Sequence, residues 1–170
     1  MHRLVERLLV GALASVSVLG CISQGPRGAS GPLRISEVQD LGDSSRRAST
    51  RLVLLGLRFD EENEADRAIN EYERAVQVDP TNPYAYLAIA RFYSDLFQPR
   101  RILESLDQAE LLLTSQDVSS PRVEPHLVGL RGMALLTTGR YREASRLLGR
   151  ARKLAPSVWN DAQLSPAELK

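Results

Sequence analysis

The stretch LVLLGLRFDEENEADRAINEYERAVQVDP, residues 52–80, sets small residues among large apolar ones in an order that recurs along the chain. Its small residues and closing proline stand at offsets of twelve, seven and five, and the same offsets return near the C-terminus. A copy between the two keeps two of these positions, each 34 residues after its counterpart. The pattern is carried by Gly56, Ala68, Ala75 and Pro80, then Ala90 and Ala109, then Gly132, Ala144, Ala151 and Pro156. Small side chains at such spacings let antiparallel helices cross closely, so the pattern predicts an all-α helical array.

Apolar residues at helical spacing, flanked by capping residues, predict six helices. Asn82 before Pro83 is typical of a helix start, because the Asn side chain accepts from free backbone N–H groups and proline lacks a donor. Asp43 can cap the first helix in the same way. The predicted helices cover residues 44–62, 65–78, 83–96, 99–113, 124–137 and 141–154. An unrelated six-helix bundle with chance spacing is the alternative to a repeat array.

Residues 49–156 resemble the tetratricopeptide repeat family in their order of large and small side chains. The first copy shows this best, through Leu52, Leu55, Gly56, Phe59, Ala68, Tyr72, Ala75, Asp79 and Pro80. The resemblance implies a right-handed superhelical array of about three helix-turn-helix repeats. The implied repeats lie near residues 49–82, 83–116 and 125–158, in a domain of residues 44–156.

Two departures from the repeat pattern concern the third copy. Eight residues beyond one period separate it from the second copy and fit a loop at residues 114–125. Arg131 stands where an apolar side chain is expected. After the last repeat, residues 157–170 are expected to form a C-terminal cap or tail, with Trp159 over exposed core.

The N-terminus resembles a bacterial lipoprotein signal. Arg3 and Arg7 precede an apolar or small run, residues 8–20, and the run ends at Cys21 in the manner of a lipobox. The resemblance implies that residues 1–20 form a signal peptide and that Cys21, the only cysteine, carries the lipid. Thirteen apolar residues fall short of the ~20 that cross a bilayer. An uncleaved anchor and an ordinary secretory signal are the alternatives.

Residues 21–43 are rich in Gly, Ser and Pro and are predicted to form a lipidated flexible tether. The apolar residues Leu33, Ile35 and Val38 are the exception and suit a short cover over the first repeat. By analogy with enteric lipoproteins, Ile22 after the cysteine implies sorting to the outer membrane. The expected location is therefore its periplasmic face in a bacterial envelope.

The charge of the chain is balanced overall but differs between its two ends. The formal net charge is +1, and without residues 1–20 acids and bases are equal in number, which gives no support for nucleic-acid binding. Residues 48–82 carry net charge −4, whereas residues 121–156 carry +6. One interpretation is that both charged segments are solvated helix faces. The other is that they are the two poles of the domain, and that the basic pole meets anionic lipid head groups or an acidic partner.

Catalysis has no support in the sequence. Without His2, His126 is the sole histidine, and no nucleophile, base and orienting acid can be assembled around it. The chain lacks a metal-ligand cluster, a glycine-rich phosphate loop and a Gly-x-Ser-x-Gly turn. We therefore expect no enzyme activity, cofactor, metal or small-molecule substrate.

The tetratricopeptide resemblance places the binding surface on the inner face of the array, on the first helix of each repeat. The groove expected there consists of Thr50, Val53, Leu57, Asp60, Tyr84, Leu87, Arg91, Asp95, His126, Met133 and Leu136. A segment of another envelope protein would bury Tyr84, Leu87 and Met133, while Arg91 and Asp95 fix its direction. The alternative is that the groove packs against the tether or the loop at 114–125.

These expectations together indicate a lipid-anchored interaction adaptor or assembly scaffold of the envelope. The chain also looks like a small relative of repeat lipoproteins that pilot secretins or serve envelope complexes. A regulatory subunit of a cell-wall or polysaccharide enzyme is one alternative, and a structural homo-oligomer is another.

Overall fold

A computed structural model describes residues 31–116 and 121–170 of the chain. This part of the chain contains helices and no strand. Within these two ranges, a short 3-10 helix, Ile35–Val38, precedes eight α-helices. These are α1 (Ser44–Glu61), α2 (Ala65–Val78), α3 (Pro83–Asp95), α4 (Pro99–Ser115), α5 (Glu124–Thr137), α6 (Tyr141–Leu154), α7 (Pro156–Trp159) and α8 (Pro166–Leu169).

Helices α1 to α6 form three helical hairpins that stack along one direction. Each odd-numbered helix packs on the even-numbered helix that follows it, and α3 also contacts α1 and α5. The six helices predicted from the sequence are all present, and their bounds differ from the predicted ones by no more than two residues. The predicted all-α repeat array is confirmed.

The small residues of the repeat lie where the two helices of a hairpin cross. Gly56 faces Tyr72, and a Cβ atom on Gly56 would stand 2.5 Å from Cε1 of that ring. Gly132 faces Leu148 in the third hairpin, where a Cβ would stand 2.9 Å from Cγ. The alanines of the pattern, Ala68, Ala75, Ala90, Ala109, Ala144 and Ala151, are fully buried. Larger side chains at these positions would force the helices apart.

The turns inside the hairpins repeat with the same period as the sequence. Asn63, Phe97 and Gly139 each take a left-handed backbone conformation, with φ of 60°, 53° and 77°. Asn63 and Phe97 are 34 residues apart, and Phe97 and Gly139 are 42 apart. The turns therefore repeat with the 34-residue period of the sequence, and eight extra residues precede the third turn. The extra residues lie between Ser115 and Glu124, as predicted, although residues 117–120 are outside the described part.

Asn82 joins the first hairpin to the second. Its side-chain oxygen accepts from the backbone N–H of Tyr84 at 3.1 Å, which caps α3 as predicted. Its amide nitrogen donates to the hydroxyls of Ser49 and Thr50 on α1, at 2.9 and 3.2 Å. Because Asn82 is fully buried, these bonds fix the packing of α3 against α1 without competition from water.

Candidate peptide-binding face

The inner face of the array is formed by α1, α3 and α5, which lie side by side. The structure brings the predicted groove residues together on these three helices. Most of them are buried, namely Thr50, Val53, Leu57, Tyr84, Leu87, Arg91, His126 and Met133. Asp60 is partly buried, whereas Asp95 and Leu136 are exposed.

Two segments of the same chain cover this face. The N-terminal segment, residues 31–41, and the C-terminal segment, residues 155–170, lie across α1 and α5 and next to Arg91 of α3. Their apolar side chains are buried there, namely Leu33, Ile35, Val38, Trp159, Leu164 and Leu169. The expectation that Tyr84, Leu87 and Met133 stand exposed for a partner is wrong, because these side chains are only 7%, 1% and 7% exposed. The physical reason is that a large exposed apolar face costs free energy, which the chain's own apolar residues relieve.

Residues 31–41 belong to the folded domain. Leu33, Ile35 and Val38 were predicted to cover the first repeat, and the segment that carries them covers more than that repeat. The backbone N–H of Leu33 donates to the carbonyl of Arg122 at 2.9 Å, so this segment reaches the third repeat as well as α1. The N–H of Ser36 donates to the carbonyl of Lys170 at 2.9 Å, which joins the two covering segments. The prediction of a flexible tether is therefore wrong for residues 31–41, whereas residues 21–30 lie outside the described residues.

Arg91 holds the C-terminal segment through its main chain. Its Nε donates to the carbonyl of Leu164 at 3.0 Å, and its side chain is only 2% exposed. The guanidinium also forms ion pairs with Asp60 and Asp95, which compensate the cost of burying a cation. Burial raises the pKa of Asp60 even though Arg91 and the Tyr72 hydroxyl, 3.1 Å away, favour its charged form. The two charges predicted to orient a partner, Arg91 and Asp95, are therefore paired with each other.

His126 holds the N-terminal segment in a similar way. Its Nε2 lies 2.9 Å from the carbonyl of Leu33, and burial lowers the pKa of the fully buried ring. The ring is therefore neutral at pH 7, and Nε2–H donates to that carbonyl. Among the described residues, neither Nδ1 of His126 nor Nε1 of Trp159 finds a hydrogen-bond partner. His126 is thus a structural contact within the groove.

Trp159 packs directly on the backbone of α5 at Gly129. A Cβ atom on Gly129 would overlap the Trp159 ring, so only glycine fits beneath it. Trp159 is fully buried, in agreement with the prediction that it covers core at the end of the array. The pairing of Gly129 with Trp159 was not predicted, although a glycine on the inner face of a helix is a signal for close approach by a large group.

One edge of the inner face stays open to solvent. A cavity of about 310 Å³ lies at the C-terminal ends of α1 and α3, and Pro166 of α8 forms part of its wall. Asp60, Glu61, Asp95 and Leu96 line it, and the Asp95 side chain is 56% exposed. Through this notch the inner face is open to solvent while both covering segments stay in place.

A second groove, which was not predicted, opens on the outer side of α3, between α2 and α4. It has a volume of about 370 Å³, and its floor consists of Ile69, Val76, Tyr86, Ile89 and Tyr93. At the matching place on α5, Arg131 pairs with Asp107 and Glu110 of α4, both at 2.9 Å. Arg131, which departs from the repeat pattern, therefore joins α5 to α4 through ion pairs.

Three further observations concern metal ligands, membrane-spanning helices and Cys21. In the described part of the chain, no cluster of His, Cys, Asp and Glu is suited to hold a metal ion. None of the helices described here has the length and apolar character needed to cross a bilayer. Cys21 and the predicted signal peptide, residues 1–20, lie outside the described residues, so lipidation stays a prediction.

Comparison with known proteins gives one match to a family. Residues 56–96 match the family model described as TPR repeat, over the last third of α1, all of α2 and all of α3. No curated protein matches the chain in a sequence search. The three hairpins of the structure share the spacing of this matched segment. The fold is therefore a tetratricopeptide-type helical repeat array, of which residues 56–96 match the family model.

Proposed function

We propose that the chain is a non-catalytic interaction adaptor whose inner face binds a peptide segment of a partner protein. The observation that carries the proposal is that this face already binds two peptide segments of the chain itself. Arg91 and His126 each contact a main-chain carbonyl, which any partner segment also offers. Buried positions accept Leu164 and Leu169 and would accept similar side chains from a partner.

The binding chemistry suits a short segment with leucine-like side chains. The C-terminal segment provides the template, with a single helical turn that starts at Ser165 and is closed by a capping box with Glu168. A partner segment of this kind would enter at the open notch and replace residues 160–170 on α1 and α3. Ion pairing at the notch, where Glu61 now holds Lys170 at 3.0 Å, would favour a basic residue at the end of the partner segment.

The proposed location is the bacterial envelope, with a lipid at Cys21. The support for it is the lipobox-like sequence that ends at Cys21. Lipid attachment would place the adaptor at a membrane surface, most suitably the periplasmic face of the outer membrane. There it would serve an envelope assembly as a pilotin-like or accessory scaffold, with proteins of that assembly as its partners.

A photo-crosslinking residue at Asp95 tests the binding face in the full chain and in its own membranes. We expect one protein adduct, and we expect a synthetic peptide of residues 160–170 to reduce its yield. Leu169→Ala should raise the yield, because it weakens the chain's own segment on the face. A matched probe at Arg100, whose side chain is 90% exposed on α4, should give no such adduct.

Several outcomes of this experiment contradict the proposal. Equal adducts at Asp95 and Arg100, or a yield that the peptide does not change, would place binding elsewhere. An adduct of twice the mass of the chain would favour a structural homo-oligomer. Capture of a cell-wall enzyme whose turnover changes on binding would favour a regulatory subunit.

Cys21→Ser tests the anchor separately. We expect this variant to incorporate no labelled palmitate, to keep the N-terminus of the precursor and to lose its partition into detergent. Palmitate incorporation into the variant, or unchanged partition, would contradict the lipoprotein assignment.

A further inference from the structure

The outward side of α6 carries a cationic stripe made of Arg142, Arg146, Gly149 and Lys153. These residues are spaced by four, three and four positions, which places them along one line of the helix. The three cations are exposed, and a Cβ atom on Gly149 would meet nothing within 4 Å. The stripe is therefore an exposed cationic surface with no bulky side chain at its centre.

The cations of the stripe are not neutralised by the domain. In the described residues, Arg142, Arg146 and Lys153 take part in no ion pair or side-chain hydrogen bond, and neither does Arg152 beside them. By contrast, Arg140 pairs with Glu143, Arg150 pairs with Glu124, and Arg131 pairs with two acids of α4. The stripe lies in the segment of net charge +6, residues 121–156, whereas the first repeat, residues 48–82, carries −4. Such a pole attracts an anionic surface over distances of about a Debye length, ~8 Å at physiological salt.

Exposed apolar side chains stand at both ends of the same helix. Tyr141 at its start is 67% exposed, and Leu154 at its end is 45% exposed. Helix α6 has 14 residues, so these two positions lie about 20 Å apart. At ~100° per residue, both side chains stand about 110° around the helix from the stripe, one on each side, so they border the cations and do not lie among them.

The chain enters the domain at the same end of the array. The carbonyl of Gly31, the first described residue, accepts from Nε of Arg122 at 2.8 Å, just before α5. Glu124, at the start of α5, pairs with Arg150 in the second half of α6. From Cys21 to Gly31 the chain can span at most about 33 to 36 Å. This step depends on the proposed lipid at Cys21, which would hold the third repeat nearer the bilayer than a long tether could.

We infer that the cationic stripe of α6 binds the anionic head groups of a lipid bilayer. The domain then lies on the membrane with its third repeat facing the bilayer. The inner face and its open notch are on other surfaces of the array, since α6 packs on α5 and stands at the end of the stack. The stripe therefore orients the adaptor and leaves the proposed peptide-binding face accessible. The attraction between the stripe and an anionic surface does not depend on the lipid anchor.

Vesicle binding of a chain that starts at Ile22 tests this inference, because all core residues described here lie between Leu33 and Leu169. The chain lacks Cys21, so its result does not depend on whether that residue is lipidated. The two vesicle types are phosphatidylcholine alone and phosphatidylcholine with about one-third phosphatidylglycerol. We expect binding to the anionic vesicles only, and a steep loss of binding as salt is raised.

Two charge variants make the test specific to the stripe. Arg142→Gln with Arg146→Gln and Lys153→Gln should weaken binding to anionic vesicles by about a hundredfold, since each basic residue near such a surface contributes about fivefold. Arg51→Gln with Arg58→Gln and Arg100→Gln removes the same charge from exposed positions elsewhere and should have a much smaller effect. Circular dichroism and thermal melts should show that both variants fold like the parent chain.

The inference fails if the two triple variants lose binding equally, or if the parent chain binds both vesicle types alike. Binding to polyglutamate without binding to anionic vesicles would also overturn it and would indicate an acidic protein partner. None of these results bears on palmitate attachment at Cys21 or on adducts at Asp95, so failure here is distinct from failure of the proposed adaptor function.

Discussion

The inner face and the cationic stripe belong to the same array but differ in what covers them. The inner face is apolar with a few polar side chains, and the chain places its own residues 31–41 and 155–170 over it. The stripe is cationic, and none of the described residues covers it.

The difference follows from the cost of leaving each surface in water. Exposed apolar area is unfavourable at about 25 cal/mol per Å², so a chain with spare apolar residues gains by folding them onto an apolar face. Arginine and lysine are well hydrated, and burying them without a counter-charge is costly. A cationic surface therefore stays bare until a partner brings the opposite charge, whereas an apolar face needs a cover at all times.

Removal of the largest covering side chain should have the largest effect. Trp159→Ala should lower the free energy of unfolding by about 3 to 5 kcal/mol, because it leaves a cavity over Gly129. Tyr141→Ala removes an exposed aromatic from the start of α6 and should change stability by less than about 0.5 kcal/mol. Denaturant unfolding followed by circular dichroism measures both, and similar losses would show that Trp159 is not packed as described.

Enlarging a residue at a helix crossing should have the next largest effect. Ala75→Leu or Ala151→Leu adds volume where no space exists and should cost about 1 to 3 kcal/mol. Arg146→Ala on the cationic stripe should cost less than about 0.5 kcal/mol. Equal shifts in melting temperature for the three variants would contradict the assignment of buried and exposed faces.

Acid should weaken the covered face through His126. Burial lowers its pKa in the folded state below the ordinary value of 6.5, although the Leu33 carbonyl and Glu168 act in the opposite direction. The unfolded chain therefore binds this proton first, and stability falls as the pH drops below about 6.5, until the folded ring is protonated too. Unfolding free energies between pH 7.5 and 5.5 measure the slope. The variant His126→Gln should lose that part of the slope, and an unchanged slope would assign it to another group.

The smallest expected effect is a gain in stability from a substitution on the cationic stripe. Gly149→Ala adds a methyl group that meets no neighbour, in the middle of α6. Alanine is favoured over glycine inside a helix by about 0.5 to 1 kcal/mol, so the melting temperature should rise. A fall would mean that a part of the molecule covers the stripe.

The sequence predicted the array well because each hairpin depends on local spacing. The offsets that recur in the three copies, together with apolar residues at helical spacing and the cap at Asn82, placed six helices within two residues. The cover of the inner face could not be predicted in the same way, because it joins residues far apart in the chain. Leu33 meets His126, Leu164 meets Arg91 and Lys170 meets Ser36, and no periodic pattern encodes such contacts. The predicted groove residues lie on α1, α3 and α5, but the burial of most of them was not predicted, and their contact with a partner stays a prediction.

The fluorescence of Trp159 tests the covered inner face most directly, because it is the only tryptophan of the chain and lies in the C-terminal segment. In the intact folded chain we predict blue-shifted emission that iodide and acrylamide quench only weakly. Unfolding should shift the emission to the red and make it readily quenched. Red-shifted, readily quenched emission from the folded chain would contradict the account, because it would mean that the C-terminal segment does not lie buried on α5.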